Sequence, residues 1–437
     1  MSKLTAVATA CAVAVLAILV LIASSPNSVT PPHIPENSFT GLIPPWPVFN
    51  VAVKINSFFA TAARITTPPD VAALELATAW WKSEVVYGLG YNGVFDLLAS
   101  RSSSGSSSGS SSGGMTCRDV ATELDLQEFV VCQYMEAGVQ LHVIKKDDSS
   151  GSDSDSPTYS LTPVGDMYLK ENLHSFLMMI NEETRDSWRG ASTVVIKSGK
   201  VSGFQASFGG MDFWTYHNDH PEKEAQFDRA MKSLSPGPTG AMISDWKPSR
   251  EDIVLCDIGG GIGHVLGHVL EHYPRMRGMV LDQPESAKRA NEYMKERGLS
   301  DRAEAVGGSF FDPFPEKFSE CDVYHLRYII HDWPDKESVL LLKNIKESAA
   351  RARAPNTTNR KKSVVIVDQV IDTGASPSME QSKRLMSINM VASNPYGSRE
   401  RTVSEHEELL TAAGFRGAKD IKVTSLRTIQ TLLEAEI

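Results

Sequence analysis

Between Val254 and Leu270 the chain reads VLCDIGGGIGHVLGHVL. An apolar run through Ile258 meets the alternating glycines Gly259, Gly261 and Gly263. Apolar residues at helical spacing follow (Val265, Leu266, Val269, Leu270), so the segment predicts a strand, a tight turn and a helix. Glycine in such a turn lets the backbone bend sharply and approach a ligand with no Cβ in the way. A purely structural turn would look similar, and the spacing narrows the choice. A dinucleotide fingerprint needs glycine at position 264, but His264 stands there and the glycine comes one residue earlier. Asp257 lies at the strand end, where it can face an amino group. Asp282 ends the next apolar run, where a carboxylate can accept hydrogen bonds from both hydroxyls of a ribose. Each aspartate alone reads equally as a cap or a solvated turn. Together with D-x-G-x-G-x-G they favour an adenosine ligand carrying positive charge over a pyrophosphate.

Outward from this segment, strands are expected at Ile253 to Ile258, Gly278 to Asp282, Ala303 to Val306, Asp322 to Leu326 and Val364 to Val370. Helices are expected at Ser286 to Arg297, Lys336 to Ala349 and Ser404 to Ala413. The alternation predicts an α/β fold with a doubly wound, mostly parallel sheet that binds ligands at the carboxyl ends of its strands.

The preceding half has a different pattern. A helix (Leu74 to Ala99), a short helix (Thr116 to Leu124, Thr116 as N-cap), a helix (Leu126 to Ala137) and two strands (Val139 to Lys145, Thr158 to Leu161) follow the order of a winged helix. Nucleic-acid binding does not fit, because the formal net charge is -10, the pI is near 5.6, and the helix after Leu126 carries Glu128 and Glu136 with almost no cations. A packing or dimerisation role fits better. Leu4 to Ala23 is an apolar run behind Lys3, long enough to span a bilayer or act as a cleaved signal. That run predicts membrane association, or import into the secretory pathway or an organelle; an uncleaved anchor facing the cytosol would leave the body cytoplasmic. The expected layout is a hydrophobic segment over 1–25 and a Pro-rich tether over 26–47. A helical, winged-helix-like domain over 48–235 carries polar insertions at 101–114 and 147–157. A ligand-binding α/β domain over 236–437 carries an insertion at 351–363. The five cysteines lack any C-x-x-C pair and read as buried or incidental thiols, and His217 and His220 lack partners at metal-ligand spacing, so no metal is expected.

The motifs VLCDIGGGIG, YPRMRGMVLDQP, VGGSFFDPFP, LRYIIHDWPDK, VVIVDQVI, NPYGSRERT and LLTAAGF occur in the order seen in O-methyltransferases of the plant caffeate and acetylserotonin type, which this chain resembles over roughly Leu74 to Leu433. The resemblance implies a Rossmann-like class I methyltransferase sheet behind a winged-helix-like dimerisation domain, S-adenosylmethionine as cofactor, a small-molecule acceptor and a homodimer. It implies that His331 is the general base, flanked by Asp368 and Glu400. Asp368 departs from the longer Glu usual in relatives. Asp257, Gly259, Gly261, Gly263, Asp282, Ser309, Phe310, Arg327 and Ser235 match cofactor positions. Arg327 replaces a Lys and Ser309 replaces an adenosine-reading Asp, for which Asp282 or Asp312 would have to compensate. Met231, Phe208, Trp214, Asp332 and Asn394 match acceptor-side positions, with Phe213 and Tyr216 in the same aromatic cluster.

These residues point to methyl transfer onto a small-molecule hydroxyl. Two alternatives stay open. One is S-methylation of methylthiohydroxybutyrate on the route to dimethylsulfoniopropionate, where a thioether carries no proton and His331 would only position the acceptor. The other is a non-catalytic binding or regulatory protein on the same fold.

Overall fold

The computed structural model describes residues 43–103, 114–148, 156–250, 252–351 and 361–437. The expected apolar segment Leu4 to Ala23, the tether as far as residue 42 and most of each polar insertion lie outside the described residues. Among the described residues no helix is long and apolar enough to cross a membrane.

The chain forms two compact units. One comprises Arg64–Arg189 and Trp214–Leu234. The other takes the described residues 43–63, Gly190–Phe213 and Ser235–Ile437. In the first unit the helix expected over Leu74 to Ala99 is three helices, Pro69–Thr78, Trp80–Tyr91 and Val94–Ser103, with Gly93 in the left-handed region (φ 77°) before the last. Thr116 caps Cys117–Glu123 through a complete capping box with Asp119. The next helix, Glu128–Gln140, runs past the expected strand start at Val139. His142, at φ 57°, turns the chain, and β1 (Ile144–Asp147) begins only after that turn and pairs antiparallel with β2 (Thr158–Leu161). Leu89, Phe95, Val120, Met135, Ile144 and Tyr159 close its core.

The second unit is built on seven strands: β3 (Val254–Ile258), β4 (Arg277–Asp282), β5 (Ala303–Gly307), β6 (Val323–Arg327), β7 (Ser363–Asp368), β8 (Lys422–Ser425) and β9 (Thr431–Glu436). Their order is β5-β4-β3-β6-β7-β9-β8, with the first five parallel and β9 antiparallel to β7 and β8. The five parallel strands lie within two residues of expectation, because runs such as VVIV have the continuous apolar character of strands buried on both faces. β8 and β9 carried no such signal. TLLEAE is rich in helix-favouring Leu, Glu and Ala, and pairing with β7 overrides that preference. Chain order reverses between β3 and β6, which places a crevice at their carboxyl ends.

The expectation of unpaired cysteines is corrected: Cys117 pairs with Cys132 and Cys256 with Cys321. Separations of 15 and 65 residues carry no pairing signal in the sequence, and only the packing of neighbouring elements brings the sulfurs together.

Candidate active site

The turn after β3 is a cradle of backbone. Gly259, Gly261 and Gly263 have φ of 72°, 57° and 75°, which an L side chain rarely adopts. A Cβ on Gly259 would lie 2.4 Å from Ile329 Cδ1, and one on Gly263 2.7 Å from Met294 Cε. Gly263 N-caps the helix His264–His272. The Gly261 amide donates to Asp282 Oδ2 at 2.7 Å and the Gln283 amide to Asp282 Oδ1 at 2.7 Å. Both carboxylate oxygens of Asp282 are thus tied to backbone amides of the turns that follow β3 and β4.

Asp257 is buried at the end of β3, its Oδ1 2.8 Å from His325 Nδ1, while its Oδ2 has no hydrogen-bond partner among the described residues. Arg327 ends β6. Its Nη1 donates to the Ser235 and Thr239 hydroxyls at 3.3 Å each, and its Nε and Nη2 have no hydrogen-bond partner among the described residues. Burial pulls the guanidinium pKa below its ordinary value. His264 Nε2 lies 2.6 Å from Ser235 Oγ. Ser309 is exposed, its Oγ accepting from the Phe311 amide at 3.1 Å, so its hydroxyl shapes its own turn. Phe310 packs edge-on to Trp333 beside Gly259.

A second group of side chains gathers at the ends of β6 and β7. His331 sits in the short helix Ile330–Asp332, its Nδ1 2.7 Å from Glu400 Oε1 and its Nε2 3.4 Å from Asp332 Oδ1. All three side chains are buried. Burial pulls the imidazole pKa down, but Glu400 and Asp332 outweigh it and push it up to about 10. Burial drives the Asp332 carboxyl up to about 7 against the pull of His331, and Asn394 Nδ2 donates to its Oδ1 at 2.8 Å. Asp368, at the end of β7, makes no direct hydrogen bond to His331. Its Oδ1 accepts from the Tyr328 amide at 3.0 Å, and burial raises its pKa to about 6. Arg401 underpins the cluster, donating to the carbonyls of Ile330 and Trp333 at 2.8 Å each.

The aromatic cluster expected around the acceptor is divided. Phe208, stacked 4.2 Å from Phe204, and Phe213 belong to the sheet unit. Trp214, edge-on to Phe227 at 5.7 Å, Tyr216 and Met231 belong to the helical unit. His325, Tyr328, Thr239 and Arg401 join the site without having been singled out from sequence. A histidine inside the strand VYHLR was the one available flag, since a buried imidazole needs a partner.

Residues 188–416 match the O-methyltransferase domain family. Mitomycin biosynthesis 6-O-methyltransferase of Streptomyces lavendulae is 30% identical over 233 residues, 51% of this chain and 61% of that protein. Myricetin 7/4'-O-methyltransferase 2 of Solanum habrochaites is 31% identical over 278 residues, 62% of this chain and 72% of that protein. The crystal structure of human N-acetylserotonin methyltransferase in complex with SAM shares the fold at a TM-score of 0.68 and 21% identity, over 85% of this chain and 98% of that one. With its sheet order, its glycine cradle and its His331 cluster, this chain belongs to the O-methyltransferase domain family of S-adenosylmethionine-dependent enzymes.

Proposed function

We propose that this methyltransferase acts on an acidic, phenol-type hydroxyl of a small molecule, with His331 as general base and Glu400 as the group that orients it. The observation that carries the reading is the buried 2.7 Å pair of His331 Nδ1 and Glu400 Oε1. That bond fixes Nδ1 and leaves Nε2 to take the acceptor proton, and Glu400 stabilises the imidazolium that results. An imidazole held near 10 matches a phenol, whose ordinary pKa is about 10, so the proton passes between them with little net cost. A thioether has no proton to give, and this arrangement would serve it only as a fixed charge.

The residues present fit the cofactor. S-adenosylmethionine, when bound, supplies an electrophilic methyl group on a positively charged sulfur. Asp282 places a carboxylate at the strand end where ribose hydroxyls would lie, the glycine cradle admits close approach, Arg327 Nε and Nη2 suit a carboxylate, and Asp257 Oδ2 suits an ammonium. Phe310 offers an apolar wall to a base, and Ser309 offers one hydroxyl. Met231, Phe208, Trp214, Asp332 and Asn394 are the acceptor-side candidates.

Transfer from labelled donor to a panel holding a phenol, an aliphatic alcohol and methylthiohydroxybutyrate tests the acceptor class. Phenol ether as the dominant product is expected, and a methylated sulfonium as the sole product would overturn the reading.

Homodimerisation is part of the same proposal. Its support is the family resemblance together with exposed apolar side chains at Leu74, Leu76, Trp80 and Trp81 in the helical unit. Membrane engagement through residues 4–23 rests on the sequence run alone. Removing residues 1–25 is expected to move the protein from the membrane pellet to the supernatant with turnover retained, and retention in a high-salt pellet would contradict it.

A further inference from the structure

Tyr328 is a non-glycine residue at φ 57° beside the proposed base. Its ring stacks on the His331 imidazole, with centroids 5.1 Å apart and planes 15° from parallel. The Arg327 guanidinium carbon lies 5.3 Å from the centroid of the same ring. Two acceptors share its backbone amide, Asp368 Oδ1 at 3.0 Å and the Val367 carbonyl at 3.2 Å, and its side chain hydrogen-bonds Gln369. A left-handed tyrosine persists only where its surroundings over-determine it, and such residues concentrate at functional sites.

We propose that Tyr328 is a positioning residue that sets the plane of the His331 ring, and that Asp368 serves the reaction by holding the Tyr328 backbone rather than by touching the imidazole. Glu400 hydrogen-bonds one nitrogen of the ring and Asp332 lies 3.4 Å from the other as an ion-pair contact without hydrogen-bond geometry, so a single directional bond leaves rotation about its own axis. A flat ring stacked on the imidazole removes that freedom, and the stack exists only because the chain turns left-handed at residue 328. The Asp368 carboxylate, buried at the end of β7, accepts the amide that this turn presents. Its other oxygen has no hydrogen-bond partner among the described residues, and His331 makes its own hydrogen bond to Glu400 instead.

The test rests on the base assignment above and includes a readout independent of it. Tyr328→Gly keeps the turn, since glycine accepts this φ freely, and removes only the ring. Asp368→Ala removes the amide's acceptor, and Asp368→Asn restores an acceptor oxygen without charge. Tyr328→Gly and Asp368→Ala are each expected to lower kcat about ten- to hundredfold, the scale of a misplaced catalytic group. Calorimetric affinity for S-adenosylhomocysteine stays fixed in both. Tyr328→Phe and Asp368→Asn recover most of the loss. Nitrogen-15 NMR of the His331 ring, which needs no acceptor, is recorded above its raised pKa of about 10, where the ring is neutral; it should show a mixed or averaged tautomer in the two damaging variants and the wild-type pattern in the two conservative ones.

Wild-type ring signals and kcat in Tyr328→Gly overturn the proposal. So does an Asp368→Asn variant as impaired as Asp368→Ala, which would place the action in the charge. If the wild-type protein methylates no phenol but the ring signals change as expected, the acceptor reading fails and the positioning role stands.

Discussion

At the ends of β3 and β4 the site is made of backbone, with three glycines at positive φ and an aspartate tied to two amides. At the ends of β6 and β7 it is made of buried side chains, Asp332, Asp368, Glu400 and a His331 ring stacked on Tyr328, underpinned by Arg401. The first region is local: Gly261, in the turn after β3, and Asp282, at the end of β4, lie 21 residues apart. The second joins His331 to Glu400 across 69 residues. A ligand that must be gripped along its length suits a surface of amides and a few fixed oxygens. A proton that must change hands suits a water-poor cluster whose charges shift one another's affinity for it.

The two regions should therefore fail separately. The largest effect is expected from His331→Gln, which keeps the side chain's bulk and removes the base. kcat on a phenol should fall roughly a hundred- to ten-thousandfold while donor affinity holds. Equal losses in kcat and donor affinity would show that the two regions are not separable. Asp282→Ala is the mirror case. Removing both ribose hydrogen bonds and the tether on Gly261 should weaken donor binding on the order of a hundredfold by calorimetry, with kcat at saturating donor much less affected.

Glu400→Gln sharpens the contrast through pH. In the wild type kcat/KM should climb with pH toward a break near 10, the raised value of His331. Without that carboxylate the strongest raising partner is gone while Asp332 and Asp368 remain, and the break should move down from about 10 by roughly a unit or more. An unmoved break would show that Glu400 does not set it. The same linkage acts on stability. Because the folded-state pKa is raised, the pairing contributes stability that is fully present below about 6.5 and is lost as pH rises through about 10. Melting temperature should therefore fall over that window more in the wild type than in the variant. The smallest effect belongs to the cradle: Gly263→Ala, at φ 75° and against Met294, should cost about 1–2 kcal/mol in denaturant unfolding.

The cradle was legible from VLCDIGGGIG because glycine spacing, a strand-end aspartate and a following helical period are all local signals. His331 and Glu400 were legible only through the order of motifs resembling a known family. Which of the two flanking carboxylates, Asp368 or Glu400, bonds the ring was not, since neither carries a local mark of the contact. His325 and Tyr328 were missed because a histidine in an apolar strand, or a tyrosine just past its end, looks like core until its neighbours are known. Asp368, shorter than the family's Glu, carries the sequence expectation that contact with His331 passes to a water or to Glu400; its charge acts on His331, and its hydrogen bond goes to the Tyr328 amide. β9 was missed because its composition favours a helix and its strand state depends on β7.

The sequence by itself determined the alternation of strands and helices, the parallel core of the sheet and the glycine turn after β3, because apolar periodicity and backbone freedom act over a few residues. The tertiary structure alone decided which carboxylate holds His331, where the cysteines pair and why Tyr328 is left-handed. Those outcomes depend on burial and on distances of a few ångströms between residues far apart in the chain, where the free energy of a charge or hydrogen bond is set by its surroundings and not by its neighbours in sequence.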